Sequence, residues 1–290
     1  MIKNQMMQYI LKWIEENLEK RITIEDMTRL SGYSRRHIQN IFKEFTGTSI
    51  GSYIRRRRLC RAAILVRLTS MTMIDIATLL LFDSQQSFCR EFKKVFGCSP
   101  RQYRRSDCWN LAGICAPWFD FSVSLPQWNL VDLEEITVHG HYFNYTDNLI
   151  GDFDKKGVRY KNIVKSMNFY KENIYCLSQV QPALGKSNNI NVETFTGIKS
   201  TGISQQSGKL TLNTTKGIYV FFHYEGSWIN YKIIVQRVYL EILPANNLVK
   251  TQGYDIEYFY FVDMKSKENS AEIICDHYIP VREINKNSDC

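Results

Sequence analysis

The chain has 290 residues, with 37 Lys+Arg against 29 Asp+Glu, a formal charge of +8, 44% hydrophobic and 13% aromatic residues. Such apolar content excludes a disordered chain, and 15 Gly with 6 Pro exclude collagen-like or low-complexity architecture. Residues 1–110 hold 20 of the basic and 10 of the acidic residues, a net of +10, which leaves −2 for the remaining 180. A concentrated positive charge points to a polyanion partner, nucleic acid or an anionic membrane surface, for the first third alone. At roughly 100–200 residues per domain, two domains are expected.

The first residues lead into an amphipathic stretch, not a secretory leader, and no run reaches the ~18 apolar residues of a membrane span. The expectation is a cytoplasmic protein. Cys60, Cys89, Cys98, Cys108, Cys115, Cys176, Cys275 and Cys290 show neither C-x-x-C pairing nor zinc-ligand spacing with histidine, so reduced thiols and no metal are expected.

The basic third repeats itself at an offset of 50. Ile24 matches Ile74, Leu30 matches Leu80, Ser34 matches Ser84, Phe42-Lys43 matches Phe92-Lys93, Gly47 matches Gly97, and Tyr53 matches Tyr103. Each copy reads as helix, tight turn, helix. Thr23 with Asp26, and Thr72 with Asp75, have capping-box spacing. Gly32 then Ser34 turn and recap the first copy, and Asp83-Ser84 the second. Ile38, Ile41, Phe42 and Phe45 line the inner face of one second helix, and Phe88, Phe92 and Val95 that of the other. Outward lie Arg35, Arg36, Gln39, Asn40 and Lys43 in the first copy. Ser84, Gln85, Gln86, Ser87, Arg90 and Lys93 do so in the second. These side chains suit a DNA major groove, since Arg can bridge guanine O6 and N7 and Gln or Asn adenine N6 and N7. A helical connector of roughly 20 residues, Ser49 to Thr69, would span ~30 Å, near the ~34 Å of one B-DNA turn. Its Arg55-Arg56-Arg57-Arg58 run, with Arg61, is expected to face phosphates, at least some of these arginines, Arg57 among them, touching them.

Beyond Asn110 lie 26 of the 38 aromatics. Extended segments are expected at Val123 to Leu125, Glu135 to Tyr145, Ile174 to Val180, Val192 to Lys199, Gly217 to Tyr224, Tyr254 to Phe261 and Ala271 to Val281. Helices are expected at Phe153 to Asn173 and Ser227 to Leu243, and a loop around Gly185 to Asn191. No H-E-x-x-H, nucleophile elbow or phosphate-cradling loop occurs, so no enzyme activity and no cofactor are expected. His139 and His141 alternate on a strand and read as surface residues rather than a metal pair.

Ser31-Gly32-Tyr33-Ser34, His37-Ile38-Gln39, Phe42-Lys43, Gly47 and Arg57-Arg58-Leu59 resemble the AraC/XylS transcription activators, in the MarA–SoxS–Rob branch. Phe82 to Lys94 with Gly97, Ser99-Pro100 and Tyr103-Arg104 carry the same resemblance over about 105 residues. It implies two helix-turn-helix units on one DNA face and activation through RNA polymerase. Arg35-Arg36 stand where the branch usually has Lys-Trp, Asn40 where it has Arg, and Leu81 where it has Gly. The first two departures bear on base preference, each at ~1–3 kcal/mol, and the third on the positive-φ turn.

Gly217 to Gly226, the helix from Trp228 and Asp255-Ile256-Glu257-Tyr258 resemble the GyrI-like ligand-binding domains of the Rob type. The resemblance implies that Glu257 faces an aromatic pocket for amphipathic or cationic molecules, with Trp228, Tyr258 and Glu225 as further candidates. From the residues alone, strand alternation does not assign Glu257 to a face, and an ordinary outward strand residue is the favoured reading.

The expected architecture is an all-α double helix-turn-helix domain (1–108), a linker (109–122) and an α+β GyrI-like domain (123–290). The expected function is a sequence-specific activator of stress, efflux and drug-resistance promoters, binding double-stranded DNA as a monomer. The alternatives are an architectural DNA-binding protein, or a C-terminal half that inhibits gyrase or hydrolyses a substrate.

Overall fold

The computed structural model describes residues 2–115, 123–148, 157–183, 189–200, 210–261 and 272–284. Seven helices come first: α1 (Ile2–Glu16), α2 (Ile24–Ser31), α3 (Arg35–Thr46), α4 (Ile50–Leu68), α5 (Met73–Leu79), α6 (Gln85–Phe96) and α7 (Pro100–Arg105). Their starts are set by side chains. Thr23 and Asp26 cap each other's backbone at α2, as do Thr72 and Asp75 at α5. Ser34, Ser49, Ser84 and Ser99 each accept the N–H three residues on. Each such cap is worth about 1 kcal/mol.

Two apolar cores hold these helices. Met7, Ile10, Leu11 and Ile14 of α1 pack on Met27, Ile38 and Phe42 in the first. The second gathers Ile76, Phe88 and Phe92 around Ala62, Ala63 and Val66 of α4. Ile54 of α4 belongs to the first core and Leu59 to the second. One 19-residue helix therefore runs through both units and fixes their relation.

The turn between α5 and α6 departs from glycine chemistry. Leu81 adopts φ +59° and is 44% exposed, so the left-handed turn survives with a Cβ in place. For an L-residue that conformation costs ~1–2 kcal/mol.

Among the described residues, the second half forms a nine-stranded antiparallel sheet with helices over it. In chain order come β1 (Trp128–Leu133), β2 (Thr137–Asn148), α8 (Val158–Tyr170), β3 (Ile174–Pro182), β4 (Asn189–Lys199), β5 (Leu210–Asn213) and β6 (Gly217–Gly226). Then follow α9 (Trp228–Arg237), continued by a π-helical turn (Val238–Ile242), α10 (Leu243–Ala245), β7 (Leu248–Lys250), β8 (Asp255–Phe259) and β9 (Ile273–Glu283). The strand order is β1-β6-β9-β8-β3-β4-β2-β5, with β7 pairing β9. Gly140 of β2 faces Gly197 of β4; a Cβ on Gly140 would sit 1.9 Å from the Thr196 carbonyl, so only glycine permits this approach.

Several expected bounds are corrected. Val123 to Leu125 forms no strand, and Asn189 to Asn191 begins β4 instead of ending a loop. The short strands β1, β5 and β7 add to the expected set. The expected helix residues 153–156 and loop residues 185–188 lie outside the described residues. The stretch after α7 is packed, not free: Trp109 pairs with Lys250 through backbone hydrogen bonds, and Leu111 and Ile114 are buried. No helix among the described residues is long and apolar enough to cross a membrane.

Candidate nucleic-acid interface and effector site

On α3, burial of Ile38, Ile41 and Phe42 leaves Arg35, Arg36, Gln39, Asn40 and Lys43 exposed. Arg35 makes an open surface pair with Glu25 of α2 at 2.6 Å. On α6, burial of Phe88, Phe92 and Phe96 leaves Gln85, Gln86, Arg90 and Lys93 in solvent. Ser84 is engaged as the N-cap, accepting the Ser87 N–H at 3.1 Å, and the half-buried Ser87 hydroxyl reaches Glu91 at 3.3 Å. Each second helix thus presents a polar face headed by Arg or Gln, the geometry by which a helix reads base edges.

The arginine run of α4 does something different from the expected phosphate contact. Arg57 is 5% exposed, and its guanidinium forks onto Glu15 of α1 at 2.6 and 3.0 Å, with the Cys115 carbonyl as a third acceptor. Burial works against its charge, and the Glu15 carboxylate overrides that, raising its pKa. Arg58 donates to the Leu18 and Lys20 carbonyls, both at 2.8 Å, and Arg61 to Glu19 and the Glu15 carbonyl. Arg55 clamps Glu91 of α6 from the exposed side. The run is framework: it locks α1, α4 and α6 together. Arg57 does not fit the expected phosphate contact, because its guanidinium is buried and turned inward onto Glu15 and the Cys115 carbonyl.

In the second half, β3, β8, β9 and β6 bring Cys176, Glu257, His277 and Phe222 into one row across the sheet face. Glu257 is 1% exposed. Tyr231 of α9 donates its hydroxyl to Glu257 Oε1 at 2.7 Å, and the Arg159 guanidinium of α8 pairs with Oε2. With its one proton spent on Glu257, the Tyr231 oxygen accepts from His277 Nδ1 at 2.8 Å. Burial lowers the His277 pKa against the pull of Glu257 and Asp255, which favours the neutral ring. Its Nε2 is buried without a hydrogen-bond partner among the described residues, 4.0 Å from Asp255 Oδ2. Arg159 also donates to Ser178 at 3.0 Å and lies 5.7 Å from the centre of the Trp228 ring. Burial opposes its charge, and Glu257 outweighs burial and holds it protonated.

Of the four expected ligand-site residues, two meet here. Glu257 is the buried carboxylate and Trp228 the aromatic face. Tyr258 follows Glu257 in the strand and so points to the other face, where it accepts from Asn173. Glu225 stands three residues from Phe222 along β6, also on the other face, and is exposed. Arg159, Tyr231 and His277 were not singled out from sequence. The helical period of α8 and α9 is the signal for Arg159 and Tyr231, and strand alternation along β9 that for His277. His139 bonds Thr211 and Ser200, and His141 lies against the Tyr170 hydroxyl, so neither is set for metal. Among the described residues no cluster of three metal-ligating side chains occurs.

Two helix-turn-helix units on one through-going helix, joined to a sheet domain with a buried charged centre, define a DNA-binding regulator with an attached sensor-type domain. The chain belongs to the AraC-family, Rob-like transcriptional regulators. Residues 27–106 match the helix-turn-helix domain family, and residues 126–282 the GyrI-like small molecule binding domain. It is 43% identical over 222 residues to the Putative HTH-type transcriptional regulator YkgA of Escherichia coli K12, covering 76% of this chain and 91% of that protein. To the F1 operon positive regulatory protein of Yersinia pestis it is 34% identical, covering 97% and 89%. To the Transcriptional regulator Rob of Salmonella typhimurium it is 32% identical, covering 94% and 96%.

Proposed function

We propose that this regulator binds an asymmetric DNA site as a monomer, placing α3 and α6 in successive major grooves, and activates transcription by touching RNA polymerase. The observation that carries this reading is the pair of exposed polar faces on α3 and α6, held by α4. At ~1.5 Å per residue, 19 residues span about 28 Å, close to one helical turn of DNA. Both reading heads lie in one chain, so no partner copy is required. Stress, efflux and drug-resistance promoters are the proposed targets, in keeping with the family, and the cytoplasm is the proposed compartment.

The proposed regulator of this activity is a small amphipathic molecule received beside Glu257 and Trp228. A cationic effector there must displace Arg159, since the chain's own guanidinium already holds the carboxylate and the aromatic face. Selection of binding sites from random duplexes, with the stoichiometry read by sedimentation, tests the DNA reading. One protein on one asymmetric consensus supports it; recovery of no consensus favours an architectural protein and overturns it.

A further inference from the structure

Cys60, in the middle of α4, and Cys115, at the end of the described segment after α7, lie with their sulfurs 3.4 Å apart. The approach is built rather than incidental. Gly113 turns with φ +87°, where a Cβ would press 3.0 Å from the Val95 carbonyl, so the chain passes close under α6 before reaching Cys115. Arg56 of α4 holds the Gly113 carbonyl, Arg57 holds the Cys115 carbonyl, and the Cys115 N–H donates to the Cys60 sulfur at 3.2 Å. The Cys60 side chain is fully buried, whereas Cys115 is half-buried.

The electrostatics divide the two thiols. The hydrogen bond from Cys60 lowers the Cys115 pKa, burial opposes this, and the Arg57 guanidinium, 3.9 Å away, favours the thiolate. Cys60, hydrogen-bonded to Cys115 and buried, is raised. Glu15 and the Tyr53 hydroxyl also face this corner, and Arg56 adds positive charge. One reactive, approachable thiolate beside one protonated, sheltered thiol is the arrangement of an attacking and a resolving cysteine.

We propose that Cys60 and Cys115 form a redox-active dithiol that a hydroperoxide converts to a disulfide. The Cys115 thiolate attacks one peroxide oxygen, forming an S–O bond as the O–O bond breaks, and the departing alkoxide or hydroxide takes up a proton. The Cys60 sulfur then attacks the Cys115 sulfenic sulfur, closing the S–S bond and expelling hydroxide. That hydroxide leaves as water with the Cys60 proton. The dithiol loses two electrons, and the peroxide is reduced to an alcohol or water plus a second water. Closure needs the sulfurs to approach from 3.4 Å to ~2.05 Å. The loop so closed contains α5, α6 and α7, the whole second reading unit, so oxidation constrains that unit against unfolding.

Full-length reduced protein treated with hydrogen peroxide, quenched and digested without reductant, tests the proposal. The expected result is one cross-linked peptide pair containing Cys60 and Cys115, reversed by dithiothreitol. Cys60→Ser should leave Cys115 as a sulfenic acid trapped by a cyclic 1,3-dione, and Cys115→Ser should leave Cys60 unoxidised. A pairing of other cysteines, or both thiols still alkylatable after peroxide, would overturn it. The wild-type peptide map decides the matter even where a serine variant fails to fold.

Discussion

Arg159 of α8 and Glu257 of β8 form a buried ion pair in the centre of the second domain, the carboxylate 1% exposed and the arginine side chain 11%. A carboxylate beside an aromatic face suits a desolvated cation. Here the cation is supplied by the chain. The pair therefore acts as an internal occupant, and any external cation competes with it.

Removing Arg159 strands a buried carboxylate, and breaking such a pair by loss of one partner costs about 3–5 kcal/mol. Arg159→Ala should lower the melting temperature markedly. A lipophilic quaternary cation should restore more stability to this variant than it adds to the wild type, in a thermal-shift titration. Equal shifts in both proteins would show that the site does not receive cations.

Arg57 and Glu15 form a second buried pair, and its loss carries the same order of cost. Arg57→Lys, with its charge kept, should leave the slope of log affinity against log salt unchanged. Arg36→Ala removes an exposed cation from the reading face of α3 and should lower the magnitude of that slope by about one unit. Fluorescence anisotropy across a salt series measures both.

Leu81 holds a left-handed backbone that glycine adopts without strain. Leu81→Gly should stabilise the second reading unit by about 1 kcal/mol, read by chemical denaturation. Its side chain is partly in solvent, so little packing is lost in exchange.

The Arg55 clamp lowers the Glu91 pKa in the folded state, against a smaller opposing effect of burial. The folded protein then binds the Glu91 proton more weakly than the unfolded chain. Stability from this pair is present above the ordinary carboxylate range, about pH 4.3, and fades as pH falls through the depressed folded value. Glu91→Gln should flatten the acid limb of the stability profile without changing its neutral plateau relative to Arg55→Gln.

Much of the first domain is written in local signals. Thr23 with Asp26, Thr72 with Asp75 and the two Ser-capped reading helices sit within three or four residues of the groups they satisfy, so the fifty-residue repeat exposes them. The partners of the arginine run are distant in sequence, so the run by itself does not show them. Glu15, near the end of α1, and Glu19, in the turn after it, are four residues apart, as are Arg57 and Arg61 on α4, and the two pairs meet. The matching charge spacing carries that information, whereas the run alone suggests an exposed surface. In the second domain, strand alternation identifies two faces without saying which is covered. Glu257 is buried because Arg159, 98 residues earlier, and Tyr231 reach it from the helices above. The short strands β5 and β7, of four and three residues, are too brief to show a period.

The central claim, two reading heads working as one monomeric site, is tested most directly by nuclease footprinting on the selected duplex in excess competitor DNA. The account predicts protection over about two helical turns on one face. It also predicts that Gln39→Ala and Gln86→Ala relax base preference at separate positions roughly one turn, ~10 base pairs, apart. Uniform coating of the DNA, or a footprint unaltered in sequence preference by both substitutions, would contradict it.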